Sequence, residues 1–330
     1  MCRNSAHGEI IIMALLEVKD LYVRYKVRTP LFCKQRYLYA VNGVSFSLKR
    51  GETIGLVGES GCGKSTLGKA LVRLEDPCAG EILLDNKDLA HARGRELRRM
   101  RKHFQMIFQD PYGSLNPRLP IFAALDEIIA LHYRLTPAER RKKAAELLKM
   151  VGLGAEALDR YPHQFSGGQR QRIGIARALA AEPDFIVADE PVSALDVSVQ
   201  ASIVNLLADI QKQSNTAILF IAHDLAVVEH ISARIMVMYL GNIVESAPAH
   251  ELVSNPHHPY TEALLSAVPS PETGLSDRIR LTGDVPSPLA LPSGCPFHER
   301  CPYAQLRCRL EKPPLTVDDD GRGCACWYPR

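Results

Sequence analysis

GESGCGKST, residues Gly58–Thr66, decides the fold of this 330-residue chain. Ahead of it stands ETIGLV, with Ile54, Leu56 and Val57 apolar, a short buried-strand pattern. After it comes KSTLGKALVRL, with Leu67, Leu71 and Leu74 at helical spacing. Strand, glycine-rich loop and helix in that order turn the pattern G-x-x-x-x-G-K-[ST] into a phosphate cradle. Gly58, Gly61 and Gly63 let successive backbone N–H groups turn inward, with Glu59, Ser60 and Cys62 completing the loop. Lys64 reaches the outer phosphates, Ser65 offers a hydroxyl to Mg²⁺, and Thr66 lies in the first turn of a helix whose positive end favours anions. Cys62, near that helix end and Lys64, is expected to fill space. A lowered thiol pKa and alkylation are the consequences of its position to test.

Downstream, DFIVADEP (184–191) reads as an apolar strand ending in two carboxylates. The chain turns at a strand end, so both can face one pocket. Asp189 suits the Mg²⁺ shell, and Glu190 the orientation or deprotonation of an attacking water. Between loop and strand lies FSGGQRQRIGIARAL (165–179). There Ser166 is a helix N-cap, followed by Gly167, Gly168 and Gln169, and Ile173, Ile175, Ala176 and Leu179 form an apolar face. This is a second anion-binding helix end. Two such devices on different parts of one chain are satisfied if two copies meet head to tail, each offering its second device to the other's nucleotide.

These residues resemble the nucleotide-binding subunit of ATP-binding cassette (ABC) transporters. GESGCGKST is similar to Walker A, FIVADE to Walker B with the catalytic glutamate, and FSGGQ to the signature, with Phe165 where Leu is commonest. VSALD (192–196) resembles the D-loop, Gln109 in IFQDP the Q-loop glutamine, and His223 in IAHDL the switch histidine. The resemblance spans about residues 17–247 and implies ATP and Mg²⁺ as ligands. It assigns catalytic roles to Glu190 and His223, and Mg²⁺ contacts to Ser65 and Gln109. An adenine-stacking aromatic is expected from Tyr37 or Tyr39. Alternating strands and helices argue for an α/β fold. The cassette is expected over residues 1–250: a RecA-like parallel-sheet core, an antiparallel N-terminal β part and a helical subdomain at about 118–178. A short irregular extension should follow over 251–330.

Composition is that of a globular chain, with 46% hydrophobic and 23% charged residues. A net charge of +3 gives no reason to expect nucleic acid. The basic run RGRELRRMRKHF (93–104) fits a solvated helix face, with Leu97, Met100 and Phe104 on its inner side. No stretch reaches the roughly 18 apolar residues of a membrane span. The run IIIMALL (10–16) leads into a strand pattern rather than a secretion signal, and Met13 is an alternative start. A peripheral protein on the cytoplasmic face of the membrane is the expectation.

The tail names a cargo class. NPHHPYTEALLSAVP (255–269), GDVPSPLALPSGCPFHERCPYA (283–304) and FQDPYGSLNPR (108–118) resemble dipeptide and oligopeptide importer ATPases. Nickel and other small-solute importers are the alternative, and a soluble ABC ATPase without a membrane partner the second alternative. The resemblance implies two ATPases, two transmembrane permease subunits and an extracytoplasmic solute-binding protein. Five of the nine cysteines fall in the tail: Cys295, Cys301, Cys308, Cys324 and Cys326. Such a cluster in a reducing compartment points to metal, and four thiolates suit Zn²⁺ or a [4Fe–4S] cluster. The family's similar cysteine pattern implies the cluster, with Cys295, Cys301, Cys308 and Cys326 as ligands.

Overall fold

The computed structural model describes residues 14–27, 35–110, 113, 115–267, 279, 281–289, 291–317 and 322–330. The alternative start at Met13 lies outside the described residues, as does part of the loop 110–118. Two long strands, β1 (Ala14–Val27) and β2 (Arg36–Lys49), pair antiparallel. With β4 (Ala79–Leu84) and β5 (Lys87–Asp88) they form a four-stranded sheet ordered β2-β1-β4-β5. Their inward residues, Leu16, Val18, Leu21 and Val23 among them, are buried, as period-two alternation requires of a half-buried sheet.

The second sheet carries the chemistry. Its parallel strands are β3 (Thr53–Val57), β6 (Phe104–Ile107), β7 (Phe185–Asp189), β8 (Ala217–Ile221) and β9 (Arg234–Tyr239), in the order β9-β3-β8-β7-β6. β3, β7 and β8 are buried at every position. That explains why they read as continuous apolar runs, since helices cover both faces of a parallel sheet. Beyond β9 the pairing turns antiparallel through β10 (Asn242–Pro248).

Helix α1 (Lys64–Leu71) follows β3, with Leu67 and Leu71 buried. Leu74 lies beyond the helix end and is half exposed, so the apolar spacing overran the helix by a turn. Helix α2 (Gly94–Met100) is likewise shorter than its pattern. Met100 is buried as expected, but Phe104 opens strand β6, because the parallel sheet claims the segment once it begins.

The helical part comprises α3 (Ile121–His132), α4 (Pro137–Met150) and α5 (Gly167–Leu179), which pack on one another. Thr136 and Glu139 form a reciprocal cap at the start of α4. Helix α6 (Val197–Ser214) buries Ile203, Val204, Leu207 and Ile210, and α7 (Leu225–Ile231) packs on β3.

The tail is more regular than its proline content suggests. After α8 (Ala249–Ser254) and α9 (Pro259–Ser266) comes α10 (Leu306–Leu310). Two short strands, β11 (Thr316–Val317) and β12 (Gly323–Cys324), then extend the main sheet, with β12 antiparallel to β10. Two-residue strands carry too little alternation to be seen in a sequence.

Candidate nucleotide site

The phosphate loop is held by close backbone approach. Gly63 caps α1 at φ 111°, and a Cβ there would stand 2.1 Å from the Ala40 carbonyl oxygen on β2. Gly58 is equally constrained, 2.2 Å from the Met238 carbonyl oxygen on β9 by the same measure. Glycine is required at both. Ser60 and Gly61 sit exposed at the lip. Lys64 Nζ donates to the carbonyls of Gly58 (2.7 Å) and Glu59 (3.0 Å), lying back over the loop it belongs to.

Ser65 Oγ donates to Asp189 Oδ1 at 2.8 Å, joining the first turn of α1 to the end of β7. The two residues are neighbours because β3 and β7 flank β8 in one parallel sheet. A hydroxyl beside a carboxylate is a hard oxygen donor set that fits Mg²⁺. Burial pushes the Asp189 carboxyl above its usual range; the Ser65 hydrogen bond opposes this and the Glu190 charge adds to it.

Glu190 lies where β7 ends, at φ 45°, with its N–H donating to the Ile221 carbonyl at 3.0 Å. A left-handed non-glycine residue is costly and persists where the surroundings enforce it. Gln109 Nε2 donates to Glu190 Oε2 at 2.9 Å, and His223 Nδ1 lies 3.8 Å from the same oxygen. Two side chains, from the ends of β6 and β8, thus converge on one carboxylate oxygen of the residue that follows β7.

The second helix end stands apart. Ser166 Oγ accepts from Gln169 N (3.3 Å) while Gln169 Oε1 accepts from Ser166 N (3.1 Å), a capping box at the start of α5. Gly167 and Gly168 pack under Leu195 and Val199, and a Cβ at Gly168 would meet Val199 Cγ1 at 2.5 Å. Phe165 is buried with the Arg160 guanidinium over its ring, so the departure at this position is absorbed by packing. Tyr39 accepts a hydrogen bond from Arg24, and the same guanidinium covers the Tyr37 ring at 4.1 Å.

Cys62 departs from the reactive reading. It is buried under the loop, and burial pushes its thiol up despite Lys64 nearby, so it is a packing residue rather than an activated nucleophile.

In the tail, Cys295, Cys301, Cys308 and Cys326 line one pocket, next to Phe297 and His258. Burial pushes the thiols of Cys295 (to about 11), Cys301 and Cys326 up, with the other cysteines adding to the shift. Cys324 sits in β12 and does not line this pocket. Among the described residues no three His, Cys, Asp or Glu side chains close on one point as a single bound ion needs.

Two features escaped the sequence. Glu245, almost fully buried in β10, accepts from His257 N (2.8 Å), His258 N (2.9 Å) and Arg322 Nη2 (3.3 Å), pinning the tail at a single carboxylate. Its one signal was a charge inside the apolar run NIVESAP. Tyr260 and Arg300 touch the phosphate loop itself, and nothing in their spacing announced it.

A parallel sheet with a phosphate loop after its central strand and a carboxylate pair two strands away defines a P-loop ATPase, and the same chain carries a second, capped glycine-serine helix end at α5. Residues 41–193 match the model of the ABC transporter family, and residues 244–308 that of the oligopeptide/dipeptide transporter C-terminal region. The chain is 48% identical over 315 residues to the dipeptide transport ATP-binding protein DppF of Haemophilus influenzae, covering 95% of this chain and 96% of that one. It is 51% identical over 317 residues to the oligopeptide transport ATP-binding protein AppF of Bacillus subtilis, covering 94% and 96%. Its fold matches the dimeric ATP-binding cassette MJ0796 in a post-hydrolysis state bound to ADP and Pi. There the TM-score is 0.64 and the identity 31%, over 71% of this chain and 98% of that one. This chain belongs to the ABC transporter ATP-binding proteins and is an ABC-type ATPase.

Proposed function

We propose that the chain is the ATP-hydrolysing subunit of a peptide importer, held by permease subunits at the cytoplasmic face of the membrane and fed by an extracytoplasmic solute-binding protein. The observation that carries the hydrolytic reading is the convergence of Gln109 and His223 on the Glu190 carboxylate, beside the Ser65–Asp189 pair. Peptide as cargo is supported by the match of residues 244–308 and by relatives named for dipeptide and oligopeptide transport. Among the described residues no helix is long and apolar enough to cross a membrane.

In the proposed reaction the loop amides between Gly58 and Thr66 bind the phosphates. Lys64 exchanges its two loop carbonyls for phosphate oxygens. Ser65 and Asp189, with Gln109, would hold Mg²⁺, which when bound screens phosphate charge and polarises the γ-phosphoryl group. Glu190 orients a water and takes its proton as the water oxygen bonds to γ-phosphorus. The bond to the β-phosphate oxygen breaks, and ADP leaves. His223, beside the same oxygen, donates to the γ-phosphate. The first turn of α5, with Ser166, Gly167, Gly168 and Gln169, closes on the nucleotide of a second ATPase subunit.

Glu190→Gln tests this reading. It should keep ATP binding and lose about 10²- to 10⁴-fold in turnover, because an amide cannot accept the water's proton. Near-normal hydrolysis would move the base to another residue. Labelled di- and oligopeptide uptake, set against nickel, in cells carrying this variant would decide the cargo.

For the tail, a [4Fe–4S] centre on Cys295, Cys301, Cys308 and Cys326 is the reading, with zinc the alternative; it rests on the family's similar cysteine pattern and on the four thiols lining one pocket. A single tetrahedral ion needs sulfurs within one short coordination shell, whereas a cubane spaces its thiolates more widely. Anaerobically purified protein should then be brown, with about four irons per chain. Colourless protein with stoichiometric zinc would replace the cluster, and metal-free protein would remove the site.

A further inference from the structure

Glu59, the second residue of the phosphate loop, is gripped from outside the cassette. Its N–H donates to Tyr260 Oη at 2.9 Å, from helix α9 of the tail. Its carboxylate accepts both terminal nitrogens of Arg300, at 2.8 and 3.1 Å, a forked pair with the Arg300 side chain 9% exposed. Its carbonyl takes Lys64 Nζ at 3.0 Å. One residue of the loop is therefore tied at its N–H and its side chain by the tail, and at its carbonyl by Lys64.

The tail side of this contact is rigid. Tyr260 and Phe297 are fully buried and pack with Tyr239 at the end of β9, at ring separations of 4.7 to 5.4 Å. Arg300 N donates to the Phe297 carbonyl at 3.0 Å, and its Nη1 lies 3.5 Å from Tyr239 Oη. The same turn carries Cys295 and Cys301 at its two ends.

Resting on the ATPase reading above, we infer that Arg300 and Tyr260 are positioning residues of the nucleotide site, through which the cysteine-bearing tail sets the affinity for ATP. Two physical effects act together. Tyr260 uses the Glu59 N–H, which fixes the peptide plane and leaves the following amides aimed inward, so less ordering is left for the nucleotide to impose. Arg300 neutralises the Glu59 carboxylate, which would otherwise place a bare negative charge on the loop that receives a polyphosphate.

Equilibrium binding of a fluorescent ATP analogue with Mg²⁺ to the full chain tests this. Arg300→Met should weaken binding about tenfold, and Arg300→Lys by less, since it keeps the charge without the fork. Adding Glu59→Gln to Arg300→Met should recover most of the loss, because the unpaired charge is gone. Damage to the tail fold alone would not be rescued in this way. Tyr260→Phe keeps the buried ring and should weaken binding about threefold; it decides the matter should Arg300→Met not fold. Unchanged affinity in Arg300→Met, a loss that Glu59→Gln does not recover, or unchanged affinity in Tyr260→Phe overturns the inference. Failure of the unmodified chain to bind the analogue would instead sink the ATPase reading.

Discussion

At the residue scale, function here is set against stability. Asp189 is buried at the end of β7, with a carboxyl pushed above its usual range by that burial. A carboxyl whose pKa is raised on folding binds its proton more tightly folded than unfolded. It therefore costs stability once pH rises past the unfolded value near 3.9, and the cost persists at neutrality. Asp189→Asn removes this cost while its amide oxygen can still accept from Ser65. Calorimetry of the nucleotide-free variant should show a melting temperature higher by about 2 °C, together with loss of Mg²⁺-dependent hydrolysis. A lower melting temperature would mean that the charge is compensated in the resting protein. Glu190 shows the same tension through its backbone, at a φ that only its surroundings can enforce.

At the scale of elements, β10 joins the cassette to the tail. It pairs with β9 on one side and β12 on the other, and its Glu245 holds the start of α9 through two backbone amides and β12 through Arg322. Removing a buried carboxylate takes away the acceptor that these donors share, at a typical cost of about 3–5 kcal/mol. Glu245→Ala should therefore release the tail. The expected measurement is rapid cleavage within residues 291–330 by a sparing protease, while the cassette resists. Equal resistance of tail and cassette in this variant would show that the tail is anchored by its aromatic packing alone.

At the scale of the whole molecule, the chain carries two glycine-rich helix starts, at α1 and at α5. The phosphate loop has Lys64, Ser65 and Asp189 about it, and the α5 end has an intact capping box, with His163 in the short turn that leads into it. In the proposed function each is half of a site, and a head-to-tail pair supplies both halves. Chains carrying Lys64→Ala, mixed with chains carrying Ser166→Arg, should regain hydrolysis that neither variant shows alone. One of the two sites in a mixed dimer then has both an intact loop and an intact signature end. No recovery in a mixture shown to dimerise would exclude the shared site.

Much of this was legible in the chain itself. The loop, the carboxylate pair and the capped signature end are local: each needs a few residues in a fixed order, because backbone amides, caps and strand ends are made by neighbours in sequence. The continuous apolar runs of β3, β7 and β8 announced a parallel sheet for the same local reason. Sequence periodicity failed at ends, where Leu74 and Phe104 continued a helical spacing that the fold had already abandoned. It also missed what depends on distant segments meeting. The reach of Gln109 and His223 to one oxygen of Glu190 is set by strand order, and the burial that pushes the Cys62 thiol up is set by tertiary packing. The fork of Arg300 on Glu59 spans 241 residues of chain. Local chemistry is written in the order of residues. Which distant groups share a pocket follows from packing the sheet and the tail, and that only the tertiary structure decides.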